Sequence, residues 1–115
     1  MSLIYMITWY KKGDIVLSNY YFSDGKGAKI RPLLILSQIR EDFLVVAIST
    51  QIDQWGMYDL LIEPTQGNWL LKTSIARLSK LSTYTGETFH KKIGEIDSAS
   101  RTKIKDNMKR FVDTR

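Results

Sequence analysis

Two continuous apolar runs, PLLILS at 32–37 and FLVVAIST at 43–50, are separated only by the polar connector QIRED. Both are too short for a helix with one buried face and are rich in β-formers, so each reads as a strand covered on both sides. So short a connector makes them the two arms of an antiparallel hairpin. Pro32 opens the first run. Proline has no N–H to give a ladder and belongs at a strand's first residue or on an edge. It also pushes the preceding residue into extended geometry. Arg31 is therefore expected at the mouth of this strand, at the base of the glycine loop DGKGAK (24–29).

The rest of the chain extends the β reading. DIVLSNYYF (14–22) follows a Lys-Lys-Gly break at 11–13, MYDLLIEP (57–64) is stopped by Pro64, and LLKTSIARLSKL (70–81) and FHKKIGEI (89–96) supply further strands. From Asp97 or Ser98, either a suitable N-cap, the period changes to helical. Ile104, Met108, Phe111 and Val112 form one apolar stripe there. The expected fold is mainly β with one C-terminal helix: a small, strongly bent sheet or barrel with the helix as a lid. The 115 residues are expected to make one domain, with an N-terminal extension at 1–12, the barrel at 13–96 and the helix at 97–113.

Composition narrows the chemistry. The absence of cysteine excludes disulfides, thiol catalysis and thiolate metal sites. No apolar run approaches a membrane span, and MSLIYMITWYKK lacks the basic start and cleavage site of a signal peptide, so a cytoplasmic location is expected. A net charge of +5 and a pI near 9.5 favour an acidic partner, nucleic acid first. His90, the one histidine, stands beside two lysines and reads as a surface residue. No His/Asp/Glu cluster has metal-ligand spacing, DGKG is not a phosphate loop, and no serine sits in a nucleophile elbow. No metal or cofactor is expected.

Arg31 offers more. The bland reading pairs it with a surface carboxylate. Yet an antiparallel hairpin returns Ser49 and Thr50 to the same end of the sheet, beneath a loop carrying Lys26 and Lys29. A guanidinium near two hydroxyls is suited to a phosphodiester.

Together, KGDIVLSNYYF, DGKGAKIRPLLILS, VVAISTQI, SIARLSKLSTY and KKIGEI followed by a helix resemble, in order and spacing, the MazF/PemK toxins of bacterial toxin–antitoxin systems. The resemblance covers about residues 11 to 112 and implies an SH3-like barrel with a C-terminal helix, acting as a homodimer. It further implies a metal-independent, sequence-selective endoribonuclease of single-stranded RNA, commonly messenger RNA, neutralised by a cognate antitoxin. On that resemblance Arg31 matches the arginine of the family's Arg-Pro step. Ser49, with Thr50 directly after it, falls where the family usually has a catalytic threonine, and Arg77 matches a basic residue that contacts RNA in some members. Ser79 stands where some members have an aspartate. Arg31, Ser49 and Thr50 are then the catalytic candidates, and Lys26, Lys29, Arg77 and Tyr20 the RNA-binding ones, with Tyr21 and Trp69 as further stacking platforms. The alternative is a non-catalytic protein on the same fold: one that binds a protein such as gyrase, as CcdB-type toxins do, or a degenerate toxin. An RNA-binding module unrelated to toxins is a third reading.

Overall fold

In the computed structural model, which describes residues 10–21 and 24–113, six antiparallel strands form one curled sheet. They are β1 (Asp14–Tyr21), β2 (Ala28–Ile39), β3 (Asp42–Ser49), β4 (Leu60–Ile62), β5 (Ser74–Thr85) and β6 (Phe89–Glu95), and helix α1 (Ser98–Asp113) follows. Their spatial order is β4-β5-β3-β2-β1-β6. Most of the expected N-terminal extension (residues 1–9) and Phe22 lie outside the described residues. No helix among the described residues is long and apolar enough to cross a membrane.

The continuous apolar runs have a direct explanation. Neighbouring residues of a strand point to opposite faces, and here both faces are packed. Ile15, Leu34, Val46, Ile48, Leu60 and Ala76 belong to one buried cluster. Val16, Leu33, Ile35, Val45 and Ala47 belong to a second, with Phe43 and Phe89. Tyr10 stands edge-on to both of those phenyl rings, at 6.0 and 5.1 Å between centroids.

Helix α1 covers the first cluster through Ile104, Met108 and Phe111. Asp97 is the cap: its Oδ1 accepts the Ser100 N–H at 2.8 Å, which holds its carboxyl below the usual range. Val112 does not join the stripe; it is 63% exposed. Asn107 completes the buried face instead, its Nδ2 donating to the Tyr58 carbonyl at 3.2 Å. A residue three positions after Ile104 sits above it on the helix, whereas Val112 lies eight positions on, past the packed edge. Arg101 ties the helix to the sheet by donating to Glu95 Oε1 at 2.8 Å and to the Lys12 carbonyl at 3.1 Å.

β2 begins at Ala28, so Pro32 lies inside the strand rather than at its first residue, and two further strands are cut short where they face the same loop. Only Leu60–Ile62 of the 57–64 run is strand, and β5 begins at Ser74 rather than at residue 70. The cause is Asn68, 2% exposed, which acts as the hub of the intervening loop. Its Oδ1 accepts the N–H groups of Thr65 and Leu70, both at 3.0 Å, and its Nδ2 donates to the Glu63 carbonyl at 2.9 Å. Backbone groups that a ladder would have satisfied are served by one side chain.

That loop also closes the open side of the sheet. The edge strands β4 and β6 are bridged when the Glu95 N–H donates to the Gly67 carbonyl at 2.9 Å. A Cβ on Gly94 would lie 2.4 Å from the Gly67 oxygen and 2.8 Å from the Asn68 Cα, both backbone atoms that cannot swing aside. Gly94→Ala is therefore expected to cost about 1–3 kcal/mol, the range for overpacking. A urea midpoint indistinguishable from that of the unmodified chain would disprove this contact.

Candidate functional site

Pro32 is tolerated inside β2 near its exposed end, where Leu17 is its register partner. The β2–β3 ladder ends with Leu33 opposite Ala47, so Arg31 and Ser49 lie two residues beyond it, at the same end of the sheet. By alternation both share the face of Leu33 and Ala47. There they line a cleft of about 230 Å³ with Tyr20, Asp24, Gln51, Arg77 and Lys80. Arg77 enters from β5, where it faces Ala47 across the ladder.

The geometry suits an anion. The Nε atoms of Arg31 and Arg77 are both buried and have no hydrogen-bond partner. A buried N–H left unpaired costs about 1–3 kcal/mol, so both arginines are held in place at a cost to the free protein. Among the described residues, no ion pair involves Arg31, Arg77 or Lys80. The bland fate of Arg31, a partner carboxylate on the surface, is thus not the one it has. Its guanidinium carbon sits 5.6 Å from the centroid of the Tyr20 ring, within cation–π range. Arg77 Nη1 donates to Gln54 Oε1 at 3.2 Å. Ser49 Oγ, nearly buried, accepts the Gln51 N–H at 3.1 Å, so its own hydroxyl proton can be directed at a ligand. The cleft carries three cations against one carboxylate, Asp24.

Of the residues singled out in the sequence, Arg31, Ser49, Arg77 and Tyr20 meet in this cleft. Thr50 does not. Just past the end of β3, it lines an adjoining groove of about 450 Å³ with Lys29, Trp69, Leu71, Lys72 and Arg31, the last of which borders both. Lys26 is exposed on the loop, its N–H donating to Asp24 Oδ1 at 2.8 Å, and it lines neither. Tyr20 is half-buried against the second cluster, while Tyr21 is mostly exposed, as alternation requires. His90 is a surface residue whose Nε2 lies 3.1 Å from Asn19 Oδ1. Ser79 faces away from the cleft, toward Gln54, Tyr58 and Phe111. Among the described residues no group of three His, Asp or Glu side chains could hold a metal ion. The sequence reading missed Asp24, Gln51 and Lys80.

Residues 11–112 match the model of a family described as PemK-like, MazF-like toxins of type II toxin–antitoxin systems. The chain belongs to the PemK/MazF toxin family. Its fold is shared with solved structures of low sequence identity. An endoribonuclease in complex with its cognate antitoxin, from a mycobacterial species, superposes with a TM-score of 0.67 at 17% identity, over 92% of this chain and 95% of that one. The Mycobacterium tuberculosis toxin MazF-mt6 gives 0.70 at 17% identity, over 87% and 96%. A MazE–MazF structure from Deinococcus radiodurans gives 0.71 at 10% identity, over 92% and 97%. No curated relative matches the sequence. In this PemK/MazF chain the cleft lies at the end of β1, β2, β3 and β5, where the glycine loop meets the Arg-Pro step.

Proposed function

We propose that the chain is a metal-independent, sequence-selective endoribonuclease that cleaves single-stranded RNA by attack of the ribose 2′-OH, and that a cognate antitoxin neutralises it. The observation that carries this reading is the cleft that gathers Arg31, Arg77 and the Ser49 hydroxyl, with no ion pair on either arginine among the described residues. A phosphodiester supplies the anionic oxygens such a cleft suits.

In this reaction the 2′-oxygen forms a bond to phosphorus and the bond to the 5′-oxygen breaks. The 2′-hydroxyl proton is given up and the leaving oxygen gains one, so the products are a 2′,3′-cyclic phosphate and a 5′-hydroxyl. The substrate brings its own nucleophile. The protein's task is in-line positioning and stabilisation of the charged phosphorane. Arg31 serves as electrostatic clamp, since its planar donors match phosphate oxygens. Ser49 donates its hydroxyl to orient the phosphate, and Arg77 holds a neighbouring oxygen. Lys26, Lys29 and Thr50 lie outside the cleft, and their proposed role is to contact the flanking RNA backbone. Two copies of the chain are expected to act as a homodimer, and the antitoxin is expected to occupy the RNA path.

Incubation with a long single-stranded RNA in EDTA tests this. Discrete fragments ending in 2′,3′-cyclic phosphate are expected, with no cleavage of DNA of the same sequence, which lacks the 2′-OH. RNA left intact at high enzyme concentration, across several unrelated sequences, would move the chain to the non-catalytic, protein-binding alternative.

A further inference from the structure

We infer that Lys80 is a third cation touching the scissile phosphodiester, carried into the cleft by a bulge in β5 that Asp59 holds in place; this rests on the RNA-cleavage reading above. The β3–β5 ladder pairs Val45 with Ser82 and Val46 with Leu81, then jumps to Ala47 with Arg77. Leu78, Ser79 and Lys80 are left without partners on β3. In an unbroken strand, positions 77 and 80 would point to opposite faces. The slip puts both side chains into the same cleft.

The bulge is supported rather than loose. Asp59 is 4% exposed, an uncommon place for a carboxylate. Its Oδ1 accepts the buried Leu78 N–H at 2.9 Å, replacing the ladder bond the bulge forfeits, and its Oδ2 accepts the Gly56 N–H at 2.9 Å. The Leu78 side chain anchors the bulge in the first cluster. A buried acid and three unpaired ladder positions are a costly way to run a strand. Bulges of this kind recur where a side chain must be re-aimed beside a site. The side chain re-aimed here is Lys80, half-buried, facing Arg31, Arg77 and Ser49, with no ion-pair partner among the described residues. Asp59 is a positioning residue; Lys80 meets the substrate.

The test compares the intact protein with Lys80→Met and Lys80→Arg. It measures cleavage of an RNA oligonucleotide, and binding of its 2′-O-methyl analogue across a salt series. The expected result is a fall of about 10- to 100-fold in kcat/KM for Lys80→Met. The slope of log K against log salt should also shrink by about 0.7, one phosphate contact on a single strand. Lys80→Arg is expected to restore the slope, and thermal midpoints to stay unchanged. A rate within twofold of the unmodified protein overturns the inference. So does a lost rate with an unchanged slope, or a changed slope with an unchanged rate, since the contact would then be elsewhere. If the unmodified protein binds the analogue but leaves RNA intact, the cleavage reading fails; a smaller slope in Lys80→Met then keeps Lys80 as a phosphate contact. Failure to bind the analogue at all overturns both.

Discussion

Arg31→Ala is expected to lower kcat/KM for RNA cleavage by about 100- to 1,000-fold, the scale for removing one preorganised donor from a charged transition state. The loss should fall mainly on kcat, because the guanidinium meets more charge in the phosphorane than in the bound phosphodiester. Arg31→Lys keeps the charge but not the planar fork, so only partial recovery is expected. Stability should move little or even rise, since the substitution removes a buried Nε–H that has no acceptor in the free protein. Single-turnover cleavage of an end-labelled RNA, with a thermal melt of the same sample, reads both quantities. A loss under tenfold would take Arg31 out of the central role.

The second large effect is at Asp59. Asp59→Ala strips acceptors from the Leu78 and Gly56 N–H groups, the former fully buried. At about 1–3 kcal/mol for the buried Leu78 donor and about 1 kcal/mol for the part-buried Gly56 donor, a loss of about 2–4 kcal/mol is expected, or roughly 10–20 °C in thermal midpoint. Asp59→Asn retains one acceptor and should lose less. Activity supplies a readout that a purely structural role would not move. At a temperature where Asp59→Ala is fully folded, adding Lys80→Met should cost little more, because the first change has already released the lysine. Fully additive losses in that double-mutant cycle would separate Asp59 from Lys80.

Much of this arrangement was legible in the sequence because it depends on local rules. The Arg-Pro step and the hairpin brought Arg31 level with Ser49 with no knowledge of the remaining chain, and the change of period at Asp97 or Ser98 marked the helix. What stayed hidden depends on tertiary contacts. Ser49 ends β3 and Thr50 lies just past it, yet adjacency in sequence kept them together as candidates. Val112 fits a helical stripe as well as Met108 does; only the packing against Tyr58 and β4 shows that Asn107 takes the inner position. Lys80 was invisible because strand parity places it opposite Arg77, and nothing local announces a three-residue slip. The one signal was Asp59, an acid inside YDLLI, which a strand interior tolerates only with donors waiting for it.

The seam at Gly67 and Glu95 separates the girth of the barrel from its working end. The strands that build the cleft, β1, β2, β3 and β5, pair directly with their neighbours through backbone ladders, whereas β4 and β6 meet through a loop. Substitutions at the exposed positions of the 63–73 segment, leaving Gly67 and the buried Asn68 in place, can therefore alter the collar while the spacing of Arg31, Ser49 and Arg77 stays fixed. A scaffold made this way can vary one outer surface without moving the residues of its cleft.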